Sequence, residues 1–144
     1  MKKDERLKKT VHSRNSRLAE GPVHENKKNL VKDFNYNEFK KIAEKAPFTQ
    51  AEWATLLHVS ERTLQRYSKS NGSFAPINAE RAIQIANVLT EGKKTFGKTI
   101  IFYQWLKQNP TMLEGTLSFD SLTSAHGIQM ILLQLGRIQH GILS

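Results

Sequence analysis

The stretch Phe48-Thr49-Gln50-Ala51-Glu52-Trp53-Ala54-Thr55-Leu56-Leu57-His58-Val59-Ser60-Glu61-Arg62-Thr63-Leu64-Gln65-Arg66-Tyr67 contains two helix starts within twelve residues. Thr49 is a helix cap whose third following residue, Glu52, can bond back to it, and Phe48 and Trp53 occupy the two staple positions around that cap. Ala54, Leu56 and Leu57 continue the apolar face for about two turns. Ser60 is a second cap. A short helix, a tight turn and a second helix are therefore predicted, the arrangement in which the first helix holds the second against the DNA major groove. The turn position often filled by glycine is His58 here, and histidine is among the residues that tolerate the left-handed conformation.

Stepping 100° per residue from Leu64 as the inward direction leaves Tyr67 on the buried side and turns Arg62, Arg66 and Lys69 almost opposite. The second helix thus has a basic outer stripe flanked by Thr63 and Gln65. Arginine and glutamine match the paired donors and acceptors of guanine and adenine edges, and Ser60 at the helix N-terminus adds a phosphate contact. The expected DNA-binding residues are Ser60, Arg62, Thr63, Gln65, Arg66 and Lys69. A plain solvated helix face would show the same basic stripe; the capped first helix and the short turn weigh for DNA.

The remaining regular elements read as helix. Apolar periodicity and breakers predict helices over 36–46, ended by Pro47; from Asn78 to a terminating Gly92; over 100–108, ended by Asn109-Pro110; and over 127–139, closing at Gly141. Residues 112–122 read as a polar connector, and no segment alternates like a strand. The expected fold is all-α, a helix-turn-helix module followed by a C-terminal helical module, divided as 1–33, 34–75 and 76–144. With 22 Lys and Arg against 13 Asp and Glu, the net charge of +9 argues for a polyanionic partner. The charge is concentrated at 1–33, where ten cations face five acids with few apolar side chains, so this segment reads as a basic, flexible arm. Residues 99–144 hold only Lys107 and Arg137 against Glu114 and Asp120, and their apolar last helix suits protein contact as well as a core. The absence of cysteine excludes a disulfide framework, and no apolar run approaches a membrane span, so a cytoplasmic protein without a membrane partner is expected.

Enzyme chemistry finds little support. Gly92-Lys93-Lys94-Thr95-Phe96-Gly97-Lys98-Thr99 matches the phosphate-loop pattern letter by letter, which would mean nucleotide binding. That loop requires a buried strand leading into it, and the residues before Gly92 read as helix. The five histidines, at 12, 24, 58, 126 and 140, form no metal-ligand spacing, and there is no nucleophile elbow. Neither a cofactor nor a metal is expected, and the chain reads as a non-enzyme.

The stretch from Thr49 to Arg66, taken with Ala82 to Leu89, Phe96-Gly97, Trp105-Leu106, Asn109-Pro110, Gly127 and the terminal Arg137-Ile138-Gln139-His140-Gly141, resembles the Xre/MbcA/ParS family of antitoxins over residues 48–144. The resemblance implies the antitoxin of a type II toxin–antitoxin pair, partnered by a RES-domain toxin that depletes NAD⁺. It further implies repression of the operon through operator DNA, a homodimer, and C-terminal helices that cover the toxin's active site. The toxin contact would then lie at Arg137, Gln139, His140 and Gly141. Ser118 replaces the family's usual proline and Gln139 its usual glutamate. Without a toxin partner, the same residues describe a helix-turn-helix regulator.

Overall fold

Asn35 opens the first helix: its side chain accepts a hydrogen bond from the Glu38 N–H at 3.1 Å, and α1 follows over Tyr36–Ala43. The computed structural model describes residues 34–141. The basic arm expected at 1–33 lies outside the described residues. Helix α1 stops three residues before the expected 46, because Lys45 and Ala46 already bond three residues back, to Ile42 and Ala43. That tightening accommodates Pro47, whose ring disfavours a helical residue before it.

Helix α2 spans Gln50–Leu57 with both bonds of its capping box present, and the Phe48 and Trp53 rings meet at 5.1 Å as the staple requires. His58 ends it in the left-handed conformation, φ 59° and ψ 40°. Helix α3 spans Glu61–Ser70, capped by Ser60 and ended by the left-handed Asn71. Helix α4 runs over Pro76–Phe96, past the glycine expected to terminate it. Gly92 is buried inside the helix because a Cβ there would collide with the Phe102 ring, and Gly97, at φ 87°, is the actual terminator. This corrects the phosphate-loop alternative as well: most of the segment from Gly92 to Thr99 is helix, and the residues that lead into it, from Pro76 on, are helix rather than a strand.

Helix α5, Thr99–Lys107, folds back along α4. The expected connector is more ordered than a loop. Strands β1, Thr111–Met112, and β2, Gly115–Thr116, form an antiparallel hairpin with Thr111 opposite Thr116, and a 3-10 turn follows at Phe119–Thr123. Helix α6, Ala125–Gln139, starts two residues earlier than its periodicity suggests because Ser124 accepts the Gly127 N–H at 3.0 Å. A Cβ on Gly127 would collide with the Ser121 carbonyl, so the 3-10 turn packs directly on the backbone of α6. The fold is all-α, with only this small hairpin added.

Helix α4 is the central element. It buries Ala79, Ala82, Ile85 and Val88, and it packs against α5, α6 and, more lightly, α1 and α2. Ile128, Ile131 and Leu135 of α6 are buried, each contributing roughly 1.5–3 kcal/mol of transfer free energy. Leu132 and Ile138 are half-buried, and Leu133 is exposed. Among the described residues no helix is long and apolar enough to cross a membrane.

One carboxylate joins the two halves. Glu52 Oε1 accepts the Thr49 N–H at 2.9 Å, while its Oε2 accepts Tyr103 Oη at 2.9 Å and Lys107 Nζ at 2.8 Å, both from α5. Burial pushes this carboxyl up, but the bonds from Lys107, the Thr49 N–H and Tyr103 outweigh it and hold it below the ordinary glutamate value. A depressed carboxyl contributes stability that is present above its unfolded value and lost as pH falls through the folded one. Glu52→Gln should therefore be less stable than wild type at about pH 7, with the difference shrinking towards about pH 3. Urea denaturation at both pH values checks this; a difference that stays constant would show that the charge on Glu52 is not what stabilises the junction.

Candidate nucleic-acid interface

Helix α3 carries the expected stripe where solvent can reach it. Leu64 is 2% exposed and faces the core, Tyr67 is half-buried against Phe74 with ring centroids 5.0 Å apart, and Arg62, Gln65, Arg66 and Lys69 are exposed. Thr63 is half-buried on the flank. The Ser60 hydroxyl accepts the Thr63 N–H at 3.0 Å and donates to Thr63 Oγ1 at 2.9 Å, so Ser60 is committed to the cap while the Thr63 hydroxyl keeps its own proton to donate. Among the described residues Arg62, Arg66 and Lys69 have no carboxylate partner. The Arg66 guanidinium lies 5.6 Å from the Tyr67 ring centroid, a contact that orients it and leaves its donors open. Uncompensated cations on a protruding helix suit a polyanion.

What aims α3 is the packing around its two ends. At its start, the Asn78 side-chain amide of α4 donates to the Leu57 carbonyl at 2.6 Å. His58 Nε2 donates to the Thr123 carbonyl at 3.0 Å, and Arg81 of α4 donates to the same oxygen. This bond fixes the proton on Nε2, so the histidine that replaces the turn glycine also ties the turn to the end of the 3-10 segment. At the far end, Asn71 Oδ1 accepts the Asn37 N–H at 2.9 Å and the Tyr36 N–H bonds to the Gly72 carbonyl at 2.9 Å. The roles of Asn78, Arg81 and Thr123 did not stand out in the sequence, because the two side chains donate to, and Thr123 supplies, a backbone carbonyl across 20 or more residues, which leaves no local pattern.

The residues expected at the toxin contact divide into two pairs. Arg137 makes a bidentate pair with Glu114 beside the hairpin, Nη1 to Oε1 at 2.8 Å and Nη2 to Oε2 at 2.6 Å. The hydrogen bond from Arg137 holds the Glu114 carboxyl below its ordinary value and raises Arg137 in return. Gln139 donates to Thr95 Oγ1 at 2.7 Å and to Glu91 Oε1 at 3.2 Å, which lowers the Glu91 carboxyl. His140 and Gly141 are exposed at the end of α6, Gly141 at φ 77°. Arg137 and Gln139 thus bind within the chain, whereas His140 and Gly141 are open.

A helix capped and stapled at its start, a left-handed turn and a basic second helix held by a third have the geometry of a helix-turn-helix. Residues 38–87 match the antitoxin Xre-like helix-turn-helix domain. The match runs from α1 through α2 and α3 into α4, about a third of the chain, and this part of the chain is similar to that domain. No curated protein matches the chain.

The bond from Asn78 to the Leu57 carbonyl sits at the helix-turn-helix corner, and among the described residues no other side chain bonds that oxygen. Asn78→Ala should cost roughly 1–3 kcal/mol, the usual penalty for leaving a part-buried carbonyl unsatisfied. A thermal melt that coincides with wild type would mean that water replaces the amide and that the corner is held by packing alone.

Proposed function

We propose that this protein is an antitoxin that represses its own operon through α3 and neutralises a RES-domain, NAD⁺-depleting toxin through the C-terminal end of α6. The observation that carries the first part is the exposed, unpaired basic face of α3 within the stretch that matches the antitoxin Xre-like domain. Arg62 and Arg66 read base edges, Gln65 and Thr63 flank them, and Ser60 and Lys69 lie beside the phosphates. A homodimer presents two copies of α3 to the half-sites of the operator. The basic stretch 1–33 adds phosphate contacts, hence affinity rather than sequence preference. The second part rests on the sequence resemblance and on the open position of His140 and Gly141. The intrachain bonds of Arg137 and Gln139 favour, as a second reading, a helix-turn-helix regulator without a toxin partner, in which these side chains only hold α6 in place.

Binding to the operon's promoter fragment, measured at fixed salt, tests the DNA face. Arg62→Ala and Arg66→Ala should each weaken specific binding by on the order of 1–3 kcal/mol and leave the melting temperature in place, since both side chains are exposed. Undiminished binding by the double variant would remove α3 as the reading helix.

Rescue of cells expressing the neighbouring toxin gene separates the two readings. Arg62→Ala plus Arg66→Ala should still rescue, and Arg137→Ala plus His140→Ala should not. Because Arg137 also holds Glu114, Glu114→Gln serves as the control: rescue by Glu114→Gln together with failure of the double variant assigns Arg137 and His140 to the toxin. Full rescue by the double variant would move the toxin contact elsewhere or favour the regulator.

A further inference from the structure

Between α1 and the second half of α4 lies a groove that takes no part in the DNA face or in the C-terminal end. Its volume, about 390 Å³, falls in the range of small-molecule sites. Ile42 of α1 and Ala86 and Leu89 of α4 provide an apolar lining; Leu89 is buried, and the other two are half-buried. Lys41, Lys45 and Lys93 line the same groove. Lys41 is engaged by Glu38 at 3.4 Å. Lys45 and Lys93 have no carboxylate partner among the described residues.

Lys45 and Lys93 are exposed, so they bring two ammonium groups without a carboxylate partner among the described residues to the side of an apolar groove. An anion lying in the groove gains from both, while an apolar body attached to it covers Ile42, Ala86 and Leu89. Duplex DNA fits poorly, since none of the exposed cations of α3 lines this groove and a phosphate backbone carries no apolar body to place in it. Thr99 adds a hydroxyl at the edge, so two residues of the segment from Gly92 to Thr99, Lys93 and Thr99, meet here although the segment is mostly helical.

We propose that this groove binds a small amphipathic anion, a carboxylate, sulfonate or phosphate borne on a compact ring or short chain, with the charged head at Lys45 and Lys93 and the body on Ile42, Ala86 and Leu89. The site is independent of the DNA and toxin assignments and stands or falls without them.

Titration of the full-length protein with anilinonaphthalene sulfonate, and in parallel with phenylnaphthylamine, which has the same rings without the sulfonate, tests both parts of the claim. The sulfonate should bind at one saturable site, and the neutral probe about tenfold or more weakly. Lys45→Gln plus Lys93→Gln should remove about tenfold of the sulfonate's affinity and leave the neutral probe unchanged, whereas Ala86→Leu, which fills the groove, should weaken both. Far-UV circular dichroism and a melting curve establish that each variant is folded. Equal binding of the two probes, or sulfonate binding indifferent to the lysine pair, overturns the proposal. So does loss of sulfonate binding on Arg62→Gln plus Arg66→Gln, which would place the probe on α3. Displacement of the sulfonate by a hexaglutamate peptide at equal concentration would overturn it in favour of an acidic-peptide site.

Discussion

The carboxylate of Glu52 is the interaction on which the arrangement of the two halves depends. In an isolated helix it would only complete the cap with Thr49. Here the same group also accepts Tyr103 and Lys107, so the start of α2 and the outer face of α5 are held to one another through a single side chain. Lys107 lies over the rings of Tyr103 and Phe119, at 5.2 and 4.7 Å from their centroids, and Phe48 meets both rings from the other side. The staple that orients the first helix of the DNA-binding unit is therefore also the aromatic floor on which the C-terminal helices rest. A cap that would stabilise a lone helix by about 1 kcal/mol here fixes an angle between elements that are far apart in sequence.

A second junction lies at the other end of α2. The Leu57 carbonyl and the His58 ring are bound by Asn78 and by Thr123, and Arg81 meets Thr123 as well. Thr123 immediately precedes Ser124, the cap of α6. The turn that sets the direction of α3 is thus one residue away, through a shared carbonyl, from the start of the helix that carries the C-terminal end. Motion of α6 relative to α4 would strain bonds that end at the helix-turn-helix corner, whereas motion confined to the C-terminal turn of α6 would not reach it.

Local chemistry was legible in the sequence where a residue acts on its near neighbours. Thr49, Glu52, Phe48 and Trp53 do so within five positions, as does Ser60 on Thr63, and the structure places each as that spacing requires. Leu64 inward and Arg62, Arg66 and Lys69 outward follow from 3.6 residues per turn alone. Glycine was ambiguous. At Gly92 the missing Cβ makes room for Phe102 rather than permitting a positive φ, and periodicity cannot distinguish the two uses, so the terminating glycine of a 21-residue helix was expected at Gly92 and not at Gly97. The hairpin at 111–116 is too short for alternation to reveal, being two residues on each side. The pairing of Arg137 with Glu114 spans 23 residues and has no sequence signature at all, which is why a residue assigned to an outside partner turns out to have one inside.

The distribution of paired and unpaired cations follows from this architecture. Lys107 and Arg137, the only cations beyond residue 98, each meet a carboxylate, so the C-terminal half presents little field of its own. Arg62, Arg66 and Lys69 meet none among the described residues. An exposed ion pair contributes little to stability but cancels charge that would otherwise reach beyond the surface. Cancelling it around α5 and α6 while leaving it open on α3 favours attraction of a polyanion to α3 over the C-terminal helices, an attraction that salt screens. The opposite placement, free cations on α6 and paired ones on α3, would change the stability contributed by exposed ion pairs by little. It would turn the C-terminal end towards nucleic acid and leave the capped, stapled and braced α3 with nothing to attract.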